Sequence, residues 1–292
     1  MAILMEQLER GLKQITIGEA ERSANSVVPQ QSNLHVAPRE KTAALKMDFG
    51  ACYVPHHDED AFFVHLRAGI VAVADGVGGC RKRGADAGAF ARALVRHALD
   101  VVNTDGCKTI NPSNLLRKAY AEAARRFTPG ASTAVVASFR GATLRWAYVG
   151  DSGFAVFRGG RVVRRSRPQQ HRFNCPYQLR ATGGDGVGDA AVGEMQVAEG
   201  DVVVVGTDGL FDNLFDHELQ WMVRKGAEMG LNPQVMAEEI AAAAYTASRS
   251  TAPSPYSVES ARNYVKDGKE MHYGGKIDDI TVVVAYVVPK HS

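Results

Sequence analysis

Gly69-Ile70-Val71-Ala72-Val73-Ala74-Asp75-Gly76-Val77-Gly78-Gly79 is the stretch from which the rest of the chain can be read. An uncharged run of small and β-branched residues, Ile70 to Ala74, predicts a strand buried on both faces. It ends in one carboxylate, Asp75, among glycines that let backbone approach a ligand closely. Two further segments repeat the pattern. Asp201-Val-Val-Val-Val-Gly-Thr-Asp208-Gly-Leu-Phe-Asp212 carries its acid after a valine run, and Asp278-Asp279-Ile-Thr-Val-Val-Val284 carries it before one.

One Asp-Gly alone is more often a turn cap than a ligand. Carboxylates gathered from three strand ends are different, because each close pair repels by roughly 2–4 kcal/mol at an effective dielectric near 20. Such a cluster needs cations. Hard oxygen donors without a Cys or His pattern favour Mg²⁺ or Mn²⁺ over zinc, and a pair of these ions suits phosphoryl chemistry.

The chain has 292 residues, 45% of them hydrophobic, which suits one large globular domain after a short appendage. A net charge of +2, from 34 basic and 32 acidic residues, is too balanced to imply nucleic acid or a membrane as the main partner. No apolar run approaches the ~20 residues of a membrane span. The four cysteines, Cys52, Cys80, Cys107 and Cys175, lack a Cys-x-x-Cys pair. That spacing argues against structural zinc and for a reducing intracellular compartment, cytoplasm or nucleus before chloroplast or mitochondrion. Glu6, Glu9, Glu19 and Glu21 disfavour a transit peptide.

Residues 1–42 read as the appendage, with a short amphipathic helix through Ile3, Leu4, Leu8 and Leu12 and a polar stretch from Ser23 to Gln31. The domain covers 43–292. Strands are expected over Phe49–Val54 and Ala61–Leu66, with His56-His57-Asp58-Glu59-Asp60 between them. Glu59 and Asp60 could reach the acid cluster from a strand paired with Ile70–Ala74. Arg81-Lys82-Arg83 follows Asp75 and could draw in phosphate. Asp86 should cap a helix burying Phe90, Leu94, Ala98 and Val101, and Asn111-Pro112 should start one burying Leu115, Leu116, Ala119 and Ala123.

From Ser132 to Arg165 the pattern is strand after strand, with turns at Arg140-Gly141 and Gly159-Gly160 that imply antiparallel hairpins. Gly150-Asp151-Ser152-Gly153 interrupts it with another acid. Arg158, Arg161, Arg164, Arg165 and Arg167 read as a basic sheet edge. Residues 169–174 look like a polar connection and 182–189 a glycine-rich loop. Helices are expected over Glu218–Glu228, from Pro233 to about Ala247, and briefly near Val258–Tyr264.

In order along the chain stand Glu59-Asp60, Ala74-Asp75-Gly76-Val77-Gly78-Gly79, Ser132-Thr133-Ala134, Gly150-Asp151-Ser152, Thr207-Asp208-Gly209-Leu210-Phe211-Asp212 and Asp278-Asp279-Ile280-Thr281. Together they resemble the type 2C family of metal-dependent serine/threonine protein phosphatases, over about Phe49 to Val288. The variants Glu-Asp-Ala-Phe-Phe, Gln-Gln-His and Phe-Asn-Cys-Pro-Tyr-Gln-Leu are similar to its compact eukaryotic branch, which includes plant and organellar members.

The resemblance implies an α+β fold, a sandwich of two antiparallel sheets with helices outside, in four α-β-β-α layers. It implies Asp75 bridging two Mg²⁺ or Mn²⁺ ions, a carbonyl from Gly76, and Asp208 and Asp278 as further ligands. Asp151 and Asp212 match a third, weaker ion site. Glu59 and Asp60 match acids acting beside the metals. Asp278 is preferred to Asp279 because the family usually has Asp-Asn there. The activity implied is hydrolysis of phosphoserine and phosphothreonine in phosphoproteins, by direct attack of water shared by the ions, in a monomer and with no thiol nucleophile.

Three positions depart from the pattern. The loop Pro55-His56-His57-Asp58 is short and lacks a phosphate-binding arginine, for which Arg81 or Arg83 is the expected substitute. Val77 stands where some relatives place a histidine for the leaving alcohol. Gly153 stands where arginine is common. An inactive binding module on this fold and a two-metal hydrolase of small phosphoesters are the alternative readings.

Overall fold

The computed structural model describes residues 44–79, 86–104, 110–126, 130–267 and 271–290. The expected appendage and its helix, Arg81, Arg83, Cys80 and Cys107 lie outside these residues. Among the described residues no helix is long and apolar enough to cross a membrane.

The strand over Ile70–Asp75 is buried as its composition predicts, and it is the third of the chain, β3. It follows β1 (Leu45–Val54) and β2 (Asp60–His65). Helices α1 (Ala87–Thr104) and α2 (Pro112–Arg126) lead to a strand-rich middle: β4 (Ala131–Ser132), β5 (Ala134–Arg140), β6 (Thr143–Val149), β7 (Gly153–Arg158) and β8 (Arg161–Arg165). Three short strands follow, β9 (Gln170–Arg172), β10 (Cys175–Pro176) and β11 (Leu179–Arg180), then β12 (Ala191–Gln196) and β13 (Val202–Gly206). Four helices, α3 (Asp208–Phe211), α4 (Asp216–Glu228), α5 (Pro233–Ser248) and α6 (Pro255–Asp267), precede the last strand, β14 (Ile280–Pro289).

Two five-stranded antiparallel sheets result, in the orders β1-β14-β13-β7-β8 and β12-β6-β5-β3-β2. They pack face to face, and alternation along each strand decides which residues meet there. Val71 and Val73 of β3, Val135 and Ala137 of β5, Val203 and Val205 of β13 and Val283 and Ala285 of β14 share one core with Trp146 and Phe154. The opposite face of β3, Ile70, Ala72 and Ala74, packs on Phe90 and Leu94 of α1 and Leu115, Leu116 and Ala119 of α2. On the other sheet α5 lies on β1 and β14. A Cβ on Gly50 would sit 2.2 Å from the Gln234 backbone, and Gln234 exchanges two hydrogen bonds with the Ala51 backbone. The α-β-β-α sandwich expected from the resemblance is therefore the fold.

Several local expectations change. Val102, not Val101, is the fully buried residue in the last turns of α1. The helix expected near Val258–Tyr264 runs over Pro255–Asp267. Residues 169–174 hold β9, and β12 pairs with β6 although its sequence, Ala-Val-Gly-Glu-Met-Gln, is weak for a strand. Gly193 explains that weakness, since a Cβ there would lie 2.5 Å from the Trp146 ring. Hairpin pairing holds for β5 with β6 and β7 with β8, but not for β6 with β7. Between them the chain leaves one sheet and enters the other, with Gly150 at φ +101. A side chain there would meet the Tyr177 carbonyl at 2.6 Å, so the crossing needs glycine.

Candidate active site

Sheet register brings the predicted acids to one end of the sandwich. Asp60, the first residue of β2, lies directly across from Asp75, the last of β3. On the facing sheet β13 ends where β14 begins, and the Thr207 amide donates to the Thr281 carbonyl at 3.3 Å. Asp208 follows that point on one strand and Asp278 precedes it on the other. Asp60 ties the two sheets together: its Oδ2 accepts from Thr207 Oγ1 at 2.8 Å and from Thr281 Oγ1 at 2.7 Å. Asp151 arrives from the crossing between β6 and β7, its Oδ2 accepting from Gln170 Nε2 at 3.1 Å.

The electrostatics follow from crowding at a buried place. Burial pushes the Asp75 carboxyl well above the usual range, with Asp208, Asp60, Asp278 and Asp151 adding repulsion. Asp60 is likewise raised by burial, against the pull of its two threonine hydrogen bonds. Asp151 is pushed up to about 7 by burial and then by Asp208 and Asp212. Asp212 reaches about 6, burial again leading, with Lys276 opposing. Oδ1 of Asp60, Asp151 and Asp208 is in each case buried without a hydrogen-bond partner. Buried carboxylate oxygens left this way cost free energy that a cation would relieve.

One cation already stands among them. The Lys276 ammonium contacts Asp208 Oδ2 and lies 3.0 Å from both Asp212 Oδ2 and Asp278 Oδ2. Burial works against its charge, but the three carboxylates outweigh this and hold its pKa well above the usual lysine value. Among the described residues no three acids, imidazoles or thiols close a metal shell as they stand. Sequence reading missed Lys276. The available signal was its position two residues before Asp278, a spacing that puts both side chains on one side of an extended segment.

The neighbouring acids Asp278 and Asp279 part company. Asp278 faces the cluster, and burial and Asp208 raise its pKa. Asp279 turns the other way, its carboxylate accepting from the successive backbone amides of His56, His57, Asp58, Glu59 and Asp60. Burial alone would raise its pKa, but these amides hold it below the usual carboxylate range. The short loop before β2 is thus organised on Asp279, which brings Glu59 to the site. A Cβ on Gly78 would lie 3.2 Å from the Glu59 carboxylate, and Gly76 donates its amide to the Glu59 carbonyl at 3.1 Å.

This arrangement can be set beside known proteins. A model of the stage II sporulation protein E (SpoIIE) family matches residues 68–288. A protein of Oryza sativa subsp. japonica named "Putative protein phosphatase 2C 24" is 50% identical over 249 residues, 84% of this chain and 78% of that one. The chain belongs to the protein phosphatase 2C family. It is a serine/threonine protein phosphatase by that membership. The solved structure of the photosystem II phosphatase PBCP superposes with a TM-score of 0.73 at 33% identity, covering 82% of this chain and 98% of that one. The catalytic domain of the phosphatase PstP, solved with 2 manganese ions, shares the fold at a TM-score of 0.60 and 19% identity, covering 84% and 99%.

Membership in this family implies dependence on magnesium or manganese. The phosphatase's buried, unpartnered oxygens on Asp60, Asp151 and Asp208 fit such a hard cation, as does an all-oxygen donor set. Gly153 also finds a reason. A Cβ there would lie 2.2 Å from Ser166 Oγ and 3.0 Å from Arg165 Nη1. Ser166 and Arg165 fill that space, Arg165 donating to Ser166 Oγ and to the carbonyls of Phe154 and Ser166 and stacking 3.7 Å above the Phe211 ring. Arg158, read as part of a basic edge, instead pairs with buried Asp201. Val77 packs against Ala87 and Ala131 and offers no proton.

Proposed function

We propose that the phosphatase hydrolyses phosphoserine and phosphothreonine in phosphoproteins using two Mg²⁺ or Mn²⁺ ions held by Asp75, the Gly76 carbonyl, Asp208 and Asp278. The observation that supports this most is the crowding at Asp75, whose carboxyl is raised first by desolvation and then by Asp208, Asp60, Asp278 and Asp151. Bound there, such ions would supply water of lowered pKa and would offset the charge of the substrate phosphate.

The chain's own residues set the geometry. Asp60 fixes the spacing of the two sheets through Thr207 and Thr281, so it controls where Asp208 and Asp278 point. Glu59, placed by the amides on Asp279, stands beside Gly78 as an acid able to orient water. Arg81 and Arg83, close in sequence to Asp75, are proposed to contact the substrate phosphate. The protein is proposed to act as a monomer in a reducing compartment.

Phosphate release from a phosphothreonine peptide should require Mg²⁺ or Mn²⁺, vanish in Asp75→Asn, and exceed release from small phosphoesters. Equal or greater turnover of small phosphoesters would replace this reading with a general phosphoester hydrolase. Unchanged KM in both Arg81→Ala and Arg83→Ala would remove those two residues from it.

A further inference from the structure

Lys276 is built into the site and does not simply reach it from the surface. Its backbone is clamped at both polar atoms by one side chain: its amide donates to Asn213 Oδ1 at 2.9 Å, and its carbonyl accepts from Asn213 Nδ2 at 2.8 Å. Asn213 is buried and also donates to the Gly209 carbonyl, which ties Lys276 to α3, the helix that begins at Asp208. The ammonium lies 5.4 Å from the Tyr256 ring centre, and only 17% of the side chain is exposed. Tyr256 is held in turn between Phe173 and His272. A lysine so confined has already lost most of its rotamer freedom, which favours a standing role over an occasional contact.

We propose that the Lys276 ammonium is a resident cation of the active site, holding the outer position beside Asp208, Asp212 and Asp278 that a third divalent ion would otherwise take. The inference rests on the two-ion reading above and departs from the expectation of a third ion at Asp151 and Asp212. A divalent ion in that outer position would need Asp151, Asp208 and Asp212 together. Lys276 already engages two of them, Asp208 through Oδ2 and Asp212 through Oδ2. An ion bound to those same oxygens at about 2.0–2.1 Å would meet the ammonium at close range, and like charges repel there. Asp208 can still serve both sides, because its Oδ1 stays unpartnered while Oδ2 holds the lysine. Asp278 likewise gives Oδ2 to the lysine, and its Oδ1, which accepts the Asp279 amide at 3.0 Å, is the oxygen it would offer a divalent ion, so the tethered charge leaves the Asp75 side of the cluster for such ions.

Manganese counting on the full chain tests this, by calorimetry and by electron paramagnetic resonance of free Mn²⁺ up to millimolar concentration. The unaltered chain and Lys276→Arg should each hold two ions, and Lys276→Met should gain a third, weaker one. Asp151→Asn should leave the count of the unaltered chain at two but abolish the extra ion in combination with Lys276→Met. Three ions in the unaltered chain, or an unchanged count in Lys276→Met, overturns the role assigned to Lys276 while the metal-dependent reading survives. Loss of one ion in Asp151→Asn alone overturns it too, and needs no variant at Lys276. No manganese uptake by the folded, unaltered chain overturns the two-ion reading itself, and the lysine's role falls with it.

Discussion

Strand β13 has an aspartate beyond each end, and the two live in opposite circumstances. Asp201, at one end, is buried and complete: Arg158 donates to both of its oxygens at 2.8 and 2.7 Å, and the Ala198 amide adds a third bond at 2.9 Å. Asp208, at the other end, is also buried, yet one oxygen has no partner and its neighbours are further acids. Residue type and burial are the same at both ends. What separates the two is how far the chain supplies the countercharge, and at the Asp208 end the described residues supply one lysine, Lys276, for a crowd of carboxylates.

Asp208→Asn should give the largest effect on this contrast. Loss of this proposed metal ligand should cost about 4 kcal/mol in the barrier, roughly a thousandfold in kcat, without lowering the melting temperature of the chelated protein. Asp201→Asn should do the reverse, lowering stability while leaving turnover per folded molecule intact. Equal losses of activity in the two variants would break the comparison.

Next comes pH. Asp151 has its pKa raised to about 7, so the folded chain keeps a proton that the unfolded chain releases above the ordinary value of 3.8. Its contribution is fully present below that value and is lost as pH rises through about 7, on the order of 4 kcal/mol for this one group. The melting temperature of the chelated protein should fall between pH 4 and pH 7, and added Mg²⁺ should restore more stability at pH 7 than at pH 5. A flat profile would mean that the crowding at this end is relieved by other means.

Arg158→Met should cost about 2–3 kcal/mol in denaturant unfolding, below the usual figure for a broken buried pair because Arg158 is 48% exposed. Manganese binding should not change. Asp279→Asn should cost about 1–2 kcal/mol, since an amide retains one acceptor oxygen for five converging amides. Its sharper signature is a drop in kcat through displacement of Glu59; unchanged kcat would show that Asp279 only holds the loop together.

Much of this was legible beforehand, for reasons that differ by element. Uncharged strands ending in acids are local patterns, so β3, β13 and β14 could be placed along with their carboxylates. Helices α1 and α2 announced their buried faces by spacing, apart from the exchange of Val101 for Val102 at the end of α1. Strand β12 was not legible, because Gly193 is chosen for the Trp146 ring beneath it and not for strand propensity. Nor was the passage from β6 to β7, where hairpin-like spacing conceals a change of sheet. Arg158 looked like an edge residue because its partner Asp201 is far away in the chain.

The order of the motifs was enough to determine the family, the sandwich and the identity of the clustered acids, because each motif is a short run whose chemistry is complete within a few residues. Only the folded chain could decide how adjacent Asp278 and Asp279 divide their work, which threonines Asp60 binds, and that Lys276 stands among the carboxylates. Those outcomes depend on the direction in which side chains leave the backbone and on charges brought together across distant segments, and neither quantity is carried by any local stretch of sequence.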